Sequence, residues 1–388
     1  MVNQSNLTVV SSEISEITNT SFLSTTVTSF SNIQGPAVKM QLSSVDVTWS
    51  LQNENTMLKL SKSNTVTVED NSKSSLVSTA TIKDMETFTD FNEYLMHHES
   101  TVWSFSGSAY VTYLIKTKVN LDKSMSLTGF SNFTISPVVE GVNLTDGTPQ
   151  ILYAQAKVSI TSLSDIILTM HQDLYFSVKY REQVIGSGHI PDFVLNSGVT
   201  VQDADLQFTF TNEDEQAALM SLLSYYSSGI GVNATMINFY TYPPITWLAP
   251  ALDSVVMEAY IPGMSDPLIV SVNIYKGTNL YALPFTLTLY NPQPIPVTIT
   301  SLVGNVTYHD TLIANVNLKT INPPIFIPPY TVVTTPKYTS KSYVNSASSS
   351  LLASGGGLGN VYSIIAGNFS AFPVSFYYQQ LNTQLLIA

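Results

Sequence analysis

There is no cysteine among the 388 residues. That excludes disulfides, thiolate nucleophiles and thiolate metal sites, and it makes the redox state of the compartment irrelevant to folding. Charge is scarce as well. Charged side chains make up 11% of the chain, under half the usual share of about a quarter, so Ser, Thr and Asn must cover the polar surface. Fifteen Lys and Arg stand against 27 Asp and Glu, leaving a net charge of −12. A phosphate-tracking groove needs clustered cations, and the scattered basic residues supply none, so nucleic acid is not an expected partner. Adsorption to an anionic membrane surface is disfavoured on the same ground. No uninterrupted apolar run reaches the roughly 18 residues of a membrane-spanning helix. The opening MVNQSNLTVVSSEISEITNTSF has neither a basic start nor an apolar core and does not read as a signal peptide. The expectation is a chain that stays where it is made, or a region whose targeting segment or anchor has been removed.

What the sequence does have is β-sheet signal. YNPQPIPVTITSLVGNVTYHDTLIANVNL (290–318) holds one formally charged residue, Asp310, three early prolines and a long apolar/polar alternation. Val270, Val272 and Ile274 alternate before it, as do Phe285, Leu287 and Leu289. Period-two alternation broken by short turns predicts antiparallel strands with one buried face. The prolines after Asn291 and those of NPPIFIPPY (322–330) mark strand edges, where no ladder donor is needed. LYFSVKYREQVI (174–185) lies over LVGNVTYHDTLI (302–313) without a gap, at an offset of 128.

Three helices punctuate the strands. DMETFTDFNEYLMHH (84–98) places Met85, Phe88, Phe91 and Leu95 on one face. NEDEQAALMSLLSYY (212–226) begins with Asn212 and Glu215 in capping-box spacing and presents Leu219, Leu222 and Tyr226. VNSASSSLLASGGG (344–357) is stopped by its glycines. An alternating strand follows each: Trp103, Phe105, Ala109, Val111, Tyr113; then Val255, Met257, Ala259, Ile261; then FPVSFYY. The expected fold is all-β with minor helix: tandem antiparallel β-sandwiches, immunoglobulin-like in appearance, with one short helix per repeat. The expected units are a Ser/Thr-rich N-terminal arm over 1–34, then sandwiches over 35–130, 131–263 and 264–388. IPGMSDP (261–267) marks one boundary and LTGF (127–130) a softer one. The arm, with its alternating SFLSTTVTSF, reads either as a disordered tail or as a strand seeking a sheet edge. Pairing with a neighbouring molecule would make it a polymerising element.

Asn291-Pro292, Leu312-Ile313-Ala314 and Ile327-Pro328-Pro329 together resemble the late-embryogenesis-abundant type 2 (WHy) domain. The second repeat keeps Val184-Ile185-Gly186 but has Leu163-Ser164 in place of Asn-Pro, so it resembles a degenerate copy. NLDKSMSLTGFSNFTI (120–135) and WLAPALDSVVMEAYIPG (247–263) are similar to a fungal family of tandem LEA-like domains on vacuolar-membrane and cell-surface proteins. The resemblance implies a sandwich plus helix per repeat and an extracytoplasmic location, at the cell surface, secreted or in a vacuole lumen. It supplies no catalytic residues.

Chemistry-bearing motifs are few. HExxH, GxSxG, P-loop and GxGxxG patterns do not occur. His97 and His98 are adjacent on a helix and point about 100° apart, so they cannot chelate one ion together. The carboxylates of NEDE (212–215) suit a helix N-terminus and need no substrate. No catalytic, cofactor or metal residues are therefore expected, and the chain does not read as an enzyme. Candidate N-glycosylation sites are Asn3, Asn6, Asn19, Asn132, Asn143, Asn233, Asn305 and Asn368, expected near strand ends and turns. Tyr240, Tyr242 and Trp247 are a candidate aromatic binding surface; the alternative is that they wall a sandwich or an interdomain seam. The expected role is a non-catalytic structural or interaction protein with protein partners, including copies of itself. The second expectation is a lipid- or polysaccharide-binding module.

Overall fold

The computed structural model describes residues 6–31, 36–49, 55–131, 136–276, 279 and 281–387. The first part of the chain forms β1 (Asn6–Ser15), β2 (Ser21–Ser31), β3 (Val38–Trp49), β4 (Thr56–Leu60), β5 (Val66–Val68), β6 (Ser72–Ile82), α1 (Met85–His97), β7 (Ser100–Thr112) and β8 (Lys116–Thr128). The middle forms β9 (Val138–Gly147), β10 (Leu152–Ser162), β11 (Ile166–Thr169), β12 (Asp173–Tyr180), β13 (Gln183–Ile190), β14 (Val194–Leu195), β15 (Gly198–Phe208), α2 (Glu213–Ser227), β16 (Val232–Tyr242), α3 (Ala249–Asp253) and β17 (Met257–Ile261). The last part forms β18 (Ile269–Ile274), β19 (Pro284–Tyr290), β20 (Val297–Tyr308), β21 (Thr311–Leu318), β22 (Ile325–Ile327), β23 (Val332–Thr334), β24 (Tyr338–Thr339), β25 (Lys341–Ser342), α4 (Ser346–Ser354), β26 (Gly356–Phe369) and β27 (Phe372–Ile387).

The fold is mostly β, as the alternation implied, in three sheets with short helices. The first sheet runs β14-β11-β1-β2-β6-β4-β3-β7-β8, and the third runs β23-β19-β18-β27-β26-β20-β21-β25. The middle sheet closes into a barrel, β10-β15-β13-β12-β16-β17-β9, which leaves it without a free edge.

Residues 6–31 are not a separate arm. β2 pairs with β6 from Ser21↔Thr81 to Phe30↔Ser72, and β1 pairs in parallel with β11. Ile14, Phe22 and Phe30 are buried in the core. The alternation in SFLSTTVTSF therefore finds its partner strands within the same chain, and the disordered-tail reading is overturned. The pairing of β1 with β11 also carries β11 and β14, from the middle of the chain, onto the first sheet.

The repeat at an offset of 128 is reproduced in register. β12–β13 and β20–β21 are both hairpins, with bulges after Val178 and after Val306. Arg181 and Glu182 turn the first at φ 49° and 64°, and His309 and Asp310 turn the second at 49° and 58°. Positive φ at both central residues is the two-residue turn whose twist matches its strands.

Two of the motifs that carried the family resemblance, Asn291-Pro292 and Ile327-Pro328-Pro329, meet in space. Asn291 is fully buried, and its amide donates to the carbonyls of Ile295 (2.7 Å), Ile327 (3.3 Å) and Pro328 (3.2 Å). Its own oxygen accepts from the Gln293 backbone N–H at 3.0 Å. Asn-Pro thus ties down the Ile-Pro-Pro segment, where proline-rich backbone has carbonyls but few donors. In the degenerate copy, buried Ser164 makes a smaller tie. Its hydroxyl donates to the Thr128 carbonyl (2.7 Å) and accepts from the Ile166 N–H (3.0 Å).

Helices α1, α2 and α4 fall where the periodicity puts them, and each has its cap. Asp84, Asn212 and Asn345 accept from the backbone N–H groups of Thr87, Glu215 and Ser348. The hydrogen bonds from Thr87 hold the Asp84 carboxyl below its usual range. Gly355, at φ 75°, ends α4. Glu215 departs from the expected box: its carboxylate reaches past the cap to Thr211, whose N–H and hydroxyl lower its pKa. Met85 is 38% exposed, so it leaves the buried face of α1 that Phe88, Phe91 and Leu95 form. The five-residue α3 gives the middle segment a second helix.

Candidate functional site

The three residues of the predicted aromatic surface are not together. Tyr240 and Tyr242 lie on the outer face of the barrel, 52% and 70% exposed. Tyr240 stacks on Tyr175 (5.2 Å between ring centroids), and Tyr175 stacks on His189 (5.3 Å). His189 faces the Asp205 carboxylate at 3.6 Å, and Asp205 accepts from the Gln155 amide at 3.0 Å. This row crosses β16, β12, β13, β15 and β10 along the pairing register. Its rings cover one another's faces, so its first effect is to hold neighbouring strands. Desolvation, then the Asp173 charge, raises the Tyr175 hydroxyl above its usual range.

Trp247 has the other fate. It is 1% exposed, its ring centroid lies 4.9 Å from that of Phe88, and its indole N–H donates to the Thr18 carbonyl at 2.9 Å. It plugs the seam between α1 and the β1–β2 turn. His97, at the end of α1, bonds the Ser254 hydroxyl just beyond α3 at 2.8 Å.

Of the glycosylation candidates, Asn3 and Asn132 lie outside the described residues, and Asn6 begins β1. Asn19 is exposed in the β1–β2 turn, where its oxygen accepts from the Thr246 N–H at 2.9 Å. Asn143, Asn233 and Asn305 are exposed on outward faces of β9, β16 and β20, and Asn368 is half-buried near the end of β26. Asn143 and Asn305 stand well inside their strands, not at the ends where they were expected.

Among the described residues, a groove of about 440 Å³ lies between α2 and β27, at the seam of barrel and third sheet. By contrast, the apolar hollows inside the first and third sheets hold about 60 Å³ each, well under the several hundred Å³ of a small-molecule site. The groove exists because α2 covers an open edge of β27. The Ser224 hydroxyl donates to the Tyr377 carbonyl, the Gln379 N–H donates to the Ser228 hydroxyl (2.9 Å), and the Ser375 N–H donates to the Met220 sulfur (3.5 Å). Below it the seam is fastened by buried polar contacts. Gln293 accepts from the Leu144 N–H (2.9 Å) and donates to the Tyr226 hydroxyl (3.0 Å), which donates to the Val142 carbonyl (2.7 Å). Burial raises the Tyr226 hydroxyl, partly offset by Gln293, so Tyr226 stays a neutral donor.

Arg181 is the sole arginine of the chain. The two-residue turn aims it at this groove, with its guanidinium 5.5 Å from the Tyr180 ring centroid and 5.8 Å from that of Tyr225. It enters none of the ion pairs found among the described residues. Tyr225 and Tyr377 form exposed walls, 36% and 49% accessible. Desolvation first, then the neighbouring Tyr362, raises the Tyr377 hydroxyl. Ser221 and Gln379 complete the polar lining. The groove lies at the C-terminal half of α2, whose carbonyl end carries partial negative charge. Arg181, Tyr225, Tyr377 and Gln379 had no sequence motif; the one available signal was a lone arginine in a hairpin turn.

Residues 55–173, less than half of the chain, match the family described as "Protein of unknown function (DUF3712)". Among curated proteins nothing matches. Among solved structures, red sea bream transglutaminase is 10% identical with a TM-score of 0.24, covering 64% of this chain and 31% of that one. The chain thus spans about a third of the transglutaminase's length. The collagen adhesin (CNA) from S. aureus is 9% identical with a TM-score of 0.14, covering 63% and 92%. The Enterococcus faecalis MSCRAMM ACE is 9% identical with a TM-score of 0.13, covering 66% and 96%. Likenesses this slight carry no weight for fold or function.

Proposed function

We propose that the chain is a non-catalytic binding and scaffolding protein of an extracytoplasmic surface, built of LEA type 2 (WHy)-like units, and that its seam groove holds a segment of neutral polysaccharide. The observation that carries this is the groove: aromatic walls, hydroxyls, an amide and one guanidinium on a floor fixed by α2–β27 hydrogen bonds. Aromatic rings suit the apolar faces of sugar rings, and the hydroxyls and amide suit their O–H groups. The tie between Asn291 and Ile327-Pro328 supports the LEA-like reading. Exposed Asn143, Asn233 and Asn305 support a glycosylated, extracytoplasmic protein.

Electrophoresis of the full chain through gels containing soluble neutral glucans, mannans or galactans tests the groove. Retardation by at least one polymer is expected. Tyr225→Ala and Tyr377→Ala should each weaken binding about 30-fold, the scale of a buried aromatic contact. Tyr242→Ala, on the barrel's outer face, should leave it unchanged. No retardation by any of the three classes, or retardation abolished only by Tyr242→Ala, would remove the groove from the account.

A further inference from the structure

The β7–β8 hairpin ends in a turn of three large apolar residues, Tyr113, Leu114 and Ile115, which are 60%, 85% and 78% exposed. Alternation places Tyr113 on the buried face; in the structure it lies one residue past the last strand pair, Thr112↔Lys116, and faces solvent. In water such a tip exposes apolar area with nothing to gain from it.

The lysines around it are placed by the sheet register. Lys39 on β3 faces Thr112, which faces Lys116; Gln41 faces Tyr110, which faces Lys118. Cross-strand partners and residues two apart share a face, so Lys39, Lys116 and Lys118 all stand on one side of the hairpin's end. All three are exposed, and the Lys116 ammonium lies 4.4 Å over the Tyr110 ring. The nearest carboxylate along β8 is Asp122, four residues beyond Lys118, or about 13 Å down the strand. Glu69 and Asp70 follow Val68, the partner of Val38, so they stand at the same end beside Lys39, with β3 between them and the hairpin. The hairpin end of an acidic chain, with Lys116 and Lys118, is therefore basic, and it carries an apolar tip.

We propose that this hairpin is a membrane-docking element, with Tyr113, Leu114 and Ile115 entering the interfacial layer of a bilayer while Lys39, Lys116 and Lys118 meet anionic headgroups. Two features favour a lipid surface over a protein groove. Three side chains on one turn are far smaller than the roughly 800 Å² each partner gives to a stable protein interface. A bilayer needs only an apolar tip and a basic collar acting together, with a tyrosine at the water boundary. Net charge argued against anionic membranes; it averages over the chain what the fold separates in space. The proposal is independent of the seam groove.

The test is flotation of the full chain with vesicles of phosphatidylcholine alone, and of phosphatidylcholine with about one third phosphatidylserine. Flotation is expected with the anionic vesicles, falling as salt rises. Lys116→Gln with Lys118→Gln should weaken it about 25-fold, at roughly fivefold per lysine. Leu114→Ser with Ile115→Ser should abolish it, with the thermal transition unchanged because both positions are solvent-exposed. No flotation with anionic vesicles overturns the proposal, as does equal flotation with Leu114→Ser and Ile115→Ser. Equal flotation on pure phosphatidylcholine overturns the headgroup half of it.

Discussion

Asn291 should be among the costliest polar side chains to remove. It is fully buried and serves four backbone groups: the carbonyls of Ile295, Ile327 and Pro328, and the N–H of Gln293. An amide has two N–H donors, so the two longer contacts share one. Asn291→Ala leaves at least one N–H and one carbonyl buried without a partner, at about 1–3 kcal/mol each, and empties the space between them. Gln293 then loses the anchor that aims it at Leu144 and Tyr226. The expected loss is about 3–5 kcal/mol of unfolding free energy. Asn291→Asp sharpens the test, because it keeps the shape and the acceptor while setting a carboxyl against three carbonyl oxygens. Burial and those oxygens disfavour its charged form, so its folded pKa lies above the unfolded value of about 4. A raised folded pKa gives stability that is present below the unfolded pKa and lost as pH rises through the folded one. Asn291→Asp should therefore be closer to the natural chain at pH 4 than at pH 7. Urea unfolding followed by circular dichroism at both pH values measures this, with calorimetry to resolve separate transitions. A loss under about 1 kcal/mol for Asn291→Ala, or an Asn291→Asp variant with no pH dependence beyond the natural chain's, would show that the Asn-Pro motif does not hold the Ile-Pro-Pro segment through this amide.

Deleting residues 1–31 should unfold the first sheet instead of releasing a monomer from a polymer, since β1 and β2 are central strands. Loss of the cooperative transition in circular dichroism is expected; a well-folded product with wild-type melting would refute the sheet assignment, and light scattering on the full chain tests self-association separately. Burial pushes Tyr378 up to about 12, against about 10 when unfolded. Its contribution is intact below pH 10 and is lost between pH 10 and 12, about 3 kcal/mol in all. Tyr378→Phe should flatten that alkaline slope while costing about 1–2 kcal/mol at neutral pH, because the Ile269 N–H loses its acceptor; an unchanged alkaline slope in urea unfolding would assign it elsewhere. Trp247→Ala should cost about 3–5 kcal/mol and loosen the contact of α1 with the β1–β2 turn, read as a lower melting temperature. A melting temperature within a degree or so of the natural chain's would return Trp247 to the surface.

What could be read from the sequence depended on the range of the interaction that decides each feature. Alternation and helical periodicity are local, so the strands of 269–318, three of the helices and the offset hairpins could be read directly. The sheet a strand joins is not local. SFLSTTVTSF has the same pattern whether it pairs with a second molecule or with β6, and only the closing of β2 against Ser72–Ile82 decides. Trp247 and Tyr242 are five residues apart in an aromatic-rich stretch, yet α3 packs one against α1 and β16 leaves the other in solvent. Charge shows the same limit most sharply. Fifteen basic residues spread along the chain look featureless in sequence, and two kinds of contact make them specific. Register brings Lys39 to within one strand of Lys116 although they are far apart in the chain. A two-residue turn with left-handed backbone sends the only arginine toward a helix that begins some thirty residues later. Composition therefore ruled on averages, whereas the surfaces that could bind anything are local departures from them. The membrane exclusion drawn from net charge is the inference most exposed to that error, and the vesicle experiment addresses it directly.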